Sequence, residues 1–76
     1  MQIHKELDAR GMNCPMPIVK TRKELKDMSP GQVLCVLASD PGSAQDMAAF
    51  CRQTGSEMLA TEEQGGIYRF LLRKGT

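Results

Sequence analysis

The chain has no tryptophan, one tyrosine and two phenylalanines, so it is poorly supplied with the aromatic platforms on which single-stranded bases stack. It lacks an excess of charge: ten Lys and Arg face nine Asp and Glu, for a net charge of +1. That balance argues against non-specific attraction to nucleic acid or to an anionic membrane. The segment MQIHKELDAR has no apolar stretch, which predicts neither a signal peptide nor a membrane span. His4 is the only histidine, and no separate Asn or Asp arrangement points to it, so a base for a cysteine hydrolase is missing. There is no C-x-x-C pair either. Cys14, Cys35 and Cys51 have fifteen or more residues between neighbours, unlike a zinc site or a thioredoxin-type redox motif. No metal and no cofactor is therefore expected.

Three cysteines are an odd number, whereas a small secreted domain more often carries four or six, paired as staples. The plain reading is a cytoplasmic protein with free thiols. At 76 residues, 41% hydrophobic and 25% charged, without repeats or low-complexity tracts, residues 1–76 read as a single folded domain. A domain of this size buries only roughly 60% of the surface its unfolded chain exposes.

Residues 3–9 alternate loosely and predict a strand with Ile3, Leu7 and Ala9 on one face and His4 exposed at a sheet edge. A loop containing Gly11 follows. From Pro17 to Met28 the spacing turns helical, with Ile18, Thr21, Leu25 and Met28 forming one stripe, and Ser29-Pro30-Gly31 ends the helix. The unbroken apolar run 33–38, VLCVLA, suits a strand in the middle of a sheet. Ser43 to Asp46 then matches a capping box. The helix it starts buries Ala44, Met47, Ala48 and Cys51, with Phe50 at the edge of that stripe, and Thr54-Gly55 closes it. Residues 56–63 and 67–73 read as a hairpin turning at Gly65-Gly66, with Tyr68, Phe70 and Leu72 sharing a face. The order β-α-β-α-β-β predicts an α+β fold, a two-layer α/β sandwich. Both helices lie on one face of a four-stranded mixed sheet, and the other face is open to solvent.

The chemistry concentrates in residues 11–17, GMNCPMP. A residue before proline is pushed out of the helical region, so Cys14 must lie at or just before the helix start. Either Cys14 is the N-cap with Pro15 at the first helical position, or Met16 is the cap and Cys14 lies one step out. Pro15 and Pro17 fix the junction and remove two N–H donors. The positive helix end favours a nearby anion and predicts a thiol shifted toward its thiolate, with Arg10 and Lys20 able to add positive field. Cys35, in an apolar strand, and Cys51, on a buried stripe, read as small hydrophobes. Cys14 reads as an accessible, reactive thiol. A single nucleophilic sulfur without a partner cysteine suits a group that is accepted and handed on, and sulfane sulfur carried as a persulfide is the natural cargo.

The stretch LDARGMNCPMPI, Leu7 to Ile18, resembles the signature of the TusA (SirA-like) sulfur carrier family. The resemblance extends through Met28-x-Pro30-Gly31, Asp40-Pro41, Phe50-Cys51, Tyr68-Arg69-Phe70 and Arg73-Lys74-Gly75, nearly the whole chain. It implies a β-α-β-α-β-β sandwich similar to the C-terminal domain of translation initiation factor three. It also implies that Cys14 takes sulfur as a persulfide from a cysteine desulfurase or a rhodanese-type donor and passes it to a downstream acceptor thiol. Arg22 and Lys26 on the first helix and Phe50 on the second would then face partner proteins. Some members have Glu where this chain has Met16, a difference that would bear on which partner docks. The turn Asp40-Pro41-Gly42-Ser43 is more similar to members associated with sulfur oxidation than to those of tRNA thiolation. The resulting expectation is a monomer that forms transient complexes. A regulatory interaction module with an incidental cysteine, an RNA-binding module, and a peroxide sensor with Cys51 resolving Cys14 are the competing classes.

Overall fold

The apolar run 33–38 becomes β2 (Val33–Ala38), buried along its length except for half-buried Leu37. The computed structural model describes residues 2–75. The remaining elements are β1 (Lys5–Ala9), α1 (Met16–Lys26), α2 (Ser43–Thr54), β3 (Glu57–Gln64) and β4 (Ile67–Arg73). The sheet order is β1-β2-β4-β3, with β1 parallel to β2 and the other two pairs antiparallel. This is the mixed four-stranded sheet and the β-α-β-α-β-β order expected. Among the described residues no helix is long and apolar enough to cross a membrane.

Alternation along the strands divides the apolar side chains between two faces. Leu34, Val36 and Ala38 of β2 join Phe70 and Leu72 of β4 beneath both helices, against Leu25, Met28, Met47, Phe50 and Cys51. Val33, Cys35 and Leu71 point the other way and form a smaller cluster with Ile3, Leu59 and Ala60. Ile3 therefore does not share a face with Leu7 and Ala9, as the alternation suggested. It precedes β1, and the strand period does not govern it. His4 is exposed, but not idle: its Nδ1 accepts the Val33 N–H at 3.0 Å, and its own N–H donates to the Val33 carbonyl. Leu59 is an extra residue between the pairs Met58–Leu72 and Ala60–Leu71. This bulge lets Met58 pack on the helix side while Leu59 and Ala60 pack on the open side.

Both helices follow the parallel strands, so both helix starts lie at the carboxyl end of the β1–β2 pair. Ligand sites in sheets with parallel strands gather at that end. The capping box does not form at the second start. Gly42 is the cap of α2 and makes no side-chain cap bond. Ser43 lies within the helix, and its buried Oγ finds no partner among the described residues. The hairpin turns at Gly65 and Gly66, both with positive φ (59° and 83°), as a tight right-twisted hairpin turn requires.

Candidate functional site

The loop between β1 and α1 is built by backbone bonds. The Met12 N–H returns to the Ala9 carbonyl, and the Gly11 N–H donates to Ser39 Oγ at 2.7 Å, tying the loop to the end of β2. Gly11 has φ +83°, where a side chain is strained even though the space is open. Cys14 follows, exposed, and the Cys14–Pro15 bond is cis. Neither capping alternative holds as stated. Pro15 itself is the cap of α1, Met16 is the first helical residue and Pro17 the second, so Cys14 lies one residue outside the cap.

That placement changes the electrostatics expected of a helix start. The Met16 N–H donates to the Asn13 carbonyl, Pro17 has none, and the Ile18 and Val19 N–H groups both donate to the Pro15 carbonyl. The first turn therefore keeps no unspent backbone donor for an anion. The Cys14 thiol donates instead to Asp46 Oδ2, 2.9 Å away, in the first turn of α2. Its pKa is raised, first by that hydrogen bond, then by slight desolvation and by the negative charges of Asp46 and Asp40. These neighbours favour the thiol over the thiolate, the opposite direction to the shift that the helix end suggested. Arg10 does not offset this. Its Nε, Nη2 and backbone N–H all donate to the Asp8 carboxylate, which that pairing lowers to a pKa of about 2.

Asp46 is the site residue that sequence reasoning missed. The pattern Ser43-x-x-Asp46 accounted for it as a cap, and its real partner is 32 residues away in sequence. The topology brings them together, because the two helix starts share one end of the sheet.

Among the described residues, Met16 (42% exposed) and Val19 (49%) are the exposed large hydrophobic side chains, both within the first turn of α1. Further along, the Arg22 guanidinium lies over the Phe50 ring. Phe50 is buried at 4% exposure, in the core and not at the edge of its stripe. It forms the floor of a groove of about 330 Å³ lined also by Arg22, Leu25, Lys26, Ser56 and Lys74. Arg22 and Lys26 are brought together at this groove, about 9 and about 15 Å along the helix axis from Met16. Among the described residues no three His, Cys, Asp or Glu side chains converge as metal ligands would.

Comparison with known proteins is consistent across sequence and structure. The sequence model of the family described as Sulfurtransferase TusA matches residues 5–74. The sulfur carrier protein TusA of Allochromatium vinosum is 53% identical over 70 residues, 92% of each chain. A candidate sulfur carrier protein of Bacillus subtilis, YrkF, is 54% identical over 69 residues, which are 91% of this chain and 37% of that longer protein. The crystal structure of a SirA-like protein from Desulfitobacterium hafniense superposes with a TM-score of 0.77 at 28% identity, covering 95% of this chain and 99% of that one.

Proposed function

The chain belongs to the sulfurtransferase TusA family, and from that premise we propose that it is a sulfur carrier that holds sulfane sulfur as a persulfide on Cys14. The donor is a cysteine desulfurase or a rhodanese-type protein. The acceptor is a thiol of a downstream protein, in tRNA 2-thiouridine synthesis, sulfur oxidation or cofactor sulfur trafficking. The observation that carries this reading is the contrast among three thiols: Cys14 is exposed on a loop at the sheet end, while Cys35 and Cys51 are buried in separate apolar clusters.

The transfer needs no group beyond the three sulfurs and a proton path. The Cys14 sulfur attacks the outer sulfur of the donor persulfide, a new S–S bond forms, and the donor S–S bond breaks. The donor cysteine leaves as a thiolate and takes up the proton that Cys14 gives up. One thiol and one persulfide enter, one thiol and one persulfide leave, and no external oxidant is consumed. The acceptor thiol repeats the attack on the terminal sulfur of Cys14.

Docking is assigned to the face that carries the site. Met16 beside the thiol offers an apolar contact, Pro15, Pro17, Gly11 and Arg10 shape the loop, and Arg22 and Lys26 give the groove over Phe50 its positive charge. The protein works as a cytoplasmic monomer in transient complexes.

Intact-protein mass spectrometry under non-reducing conditions tests the reading. After incubation with a cysteine desulfurase and cysteine, or with a persulfidated rhodanese, the wild type should gain one sulfur atom that reductant removes. Cys14→Ser should gain none. No gain on the wild type from either donor would reject the carrier role and leave a non-catalytic interaction module.

A further inference from the structure

We propose that Asp46 is a latch on the carrier cysteine: its carboxylate accepts a hydrogen bond from the Cys14 thiol and keeps the unloaded sulfur in its unreactive form until a docked donor disengages it. The inference rests on the reading of Cys14 as the carrier residue, and it names how that residue is kept silent between transfers.

Three structural facts converge. The S–H···O bond from Cys14 to Asp46 Oδ2 spans 2.9 Å and joins two elements, the loop before α1 and the first turn of α2. The charges acting on the sulfur come from α2 (Asp46) and from the loop after β2 (Asp40), and both are negative. Two of the positive sources beside the loop are engaged elsewhere, and Lys20 of α1 remains. Arg10 is held by Asp8 through three hydrogen bonds, the α1 first turn has no unspent N–H, and the basic residues of its last turn, Lys23 and Lys26, lie at the far end of the helix.

An exposed thiol with these neighbours resists small soluble electrophiles, because the attacking species is the thiolate and a carboxylate at hydrogen-bond distance disfavours it. A protein donor alters the balance at one step. Hydrogen-bond donors or cations brought against Asp46 compete for its oxygen, the Cys14 proton passes to the departing donor thiolate, and the freed sulfur forms the new S–S bond. Atoms and electrons balance as in the transfer above. The latch thus converts exposure, which transfer requires, into reactivity only within a complex.

The test is the pH profile of Cys14 alkylation by iodoacetamide, followed by intact mass on the full chain. Cys14→Ser serves as the blank, and a thermal melt checks folding. Asp46→Asn keeps an oxygen for the S–H and removes the charge, so alkylation at pH 7 should rise by about three- to tenfold and the profile should move to lower pH. Asp46→Glu keeps the charge and should stay near wild type. Asp40→Asn, which removes the more distant carboxylate, should give a smaller increase in the same direction and serves if Asp46→Asn does not fold. A folded Asp46→Asn protein that alkylates at the wild-type rate or more slowly would overturn the latch. Alkylation involves no persulfide, so that failure leaves the carrier role standing. Failure of sulfur loading, conversely, leaves the alkylation result intact.

Discussion

The Arg22 guanidinium sits 5.7 Å from the centroid of the Phe50 ring, so a cation of α1 covers an aromatic ring of α2. The pair joins the two helices at the groove and places positive charge at its rim. A half-exposed cation–π contact of this kind contributes on the order of 0.5–1 kcal/mol to folding. Arg22→Glu is therefore expected to lower the thermal midpoint by only about 2–8 °C while raising the donor concentration needed for half-maximal sulfur loading of Cys14. Loading assays with a titrated donor read this directly. An unchanged concentration dependence would remove Arg22 from the docking surface.

Phe50 should behave differently, because its ring is floor and not rim. At 4% exposure it packs with Leu25, Met47 and Phe70 beneath the helices. Phe50→Ala is expected to cost about 3–5 kcal/mol through lost burial and a residual cavity, read as a lower urea midpoint. In a chain of this size that is a large share of the total stability. Any loss of sulfur loading in Phe50→Ala then has to be compared with the fraction folded.

The fold was legible because its cues were local and agreed with one another. The unbroken run 33–38 marked the central strand, the 3.6-residue stripes marked the helices, and Gly65-Gly66 marked the hairpin. Cys14 was legible for the same reason: two prolines within three residues fix it outside the helix. What could not be read was tertiary. The bond from Cys14 to Asp46 depends on two helix starts meeting at one sheet end, and a pattern match to a capping box hid it. The expectation of a thiolate counted the helix end, Arg10 and Lys20, but not the competing partners of the first two. Asn13 and Pro15 carbonyls consume the donors, and Asp8 consumes the guanidinium.

The Asp8–Arg10 pair gives a pH prediction. Asp8 has a pKa of about 2 in the folded chain, below its ordinary value, because Arg10 donates to it from both side chain and backbone. A lowered carboxylate pKa stabilises the fold above the unfolded value, about 3.9, and that contribution is lost as pH falls through about 2. Both side chains are more than half exposed, so the effect on stability is small and screened by salt. An NMR titration of the Asp8 carboxyl should show its midpoint near 2, and Arg10→Gln should return it toward the ordinary carboxylate range. An ordinary midpoint in the wild type would mean that Arg10 is free, and the positive field at Cys14 would then need to be reconsidered.

Oxidation separates the carrier from a peroxide sensor that would resolve Cys14 with Cys51. A disulfide requires Cα atoms within about 7 Å and side chains that face each other. Cys14 is outside the cap of α1 with its thiol on the first turn of α2. Cys51 lies five residues beyond Asp46, about 7.5 Å further along α2, with its side chain in the main core. Burial pushes the Cys51 thiol up, which also disfavours attack on an oxidised Cys14. Cys35 is no substitute, because it sits on the opposite face of the sheet. Mild peroxide treatment of the folded protein should therefore give no intramolecular disulfide by non-reducing intact mass and peptide mapping. Unfolding in urea should make all three thiols available to alkylation where the native chain offers Cys14. A Cys14–Cys51 disulfide formed under native conditions would show that α2 opens readily enough to deliver Cys51, and the burial that distinguishes the three thiols would no longer support Cys14 as the lone carrier.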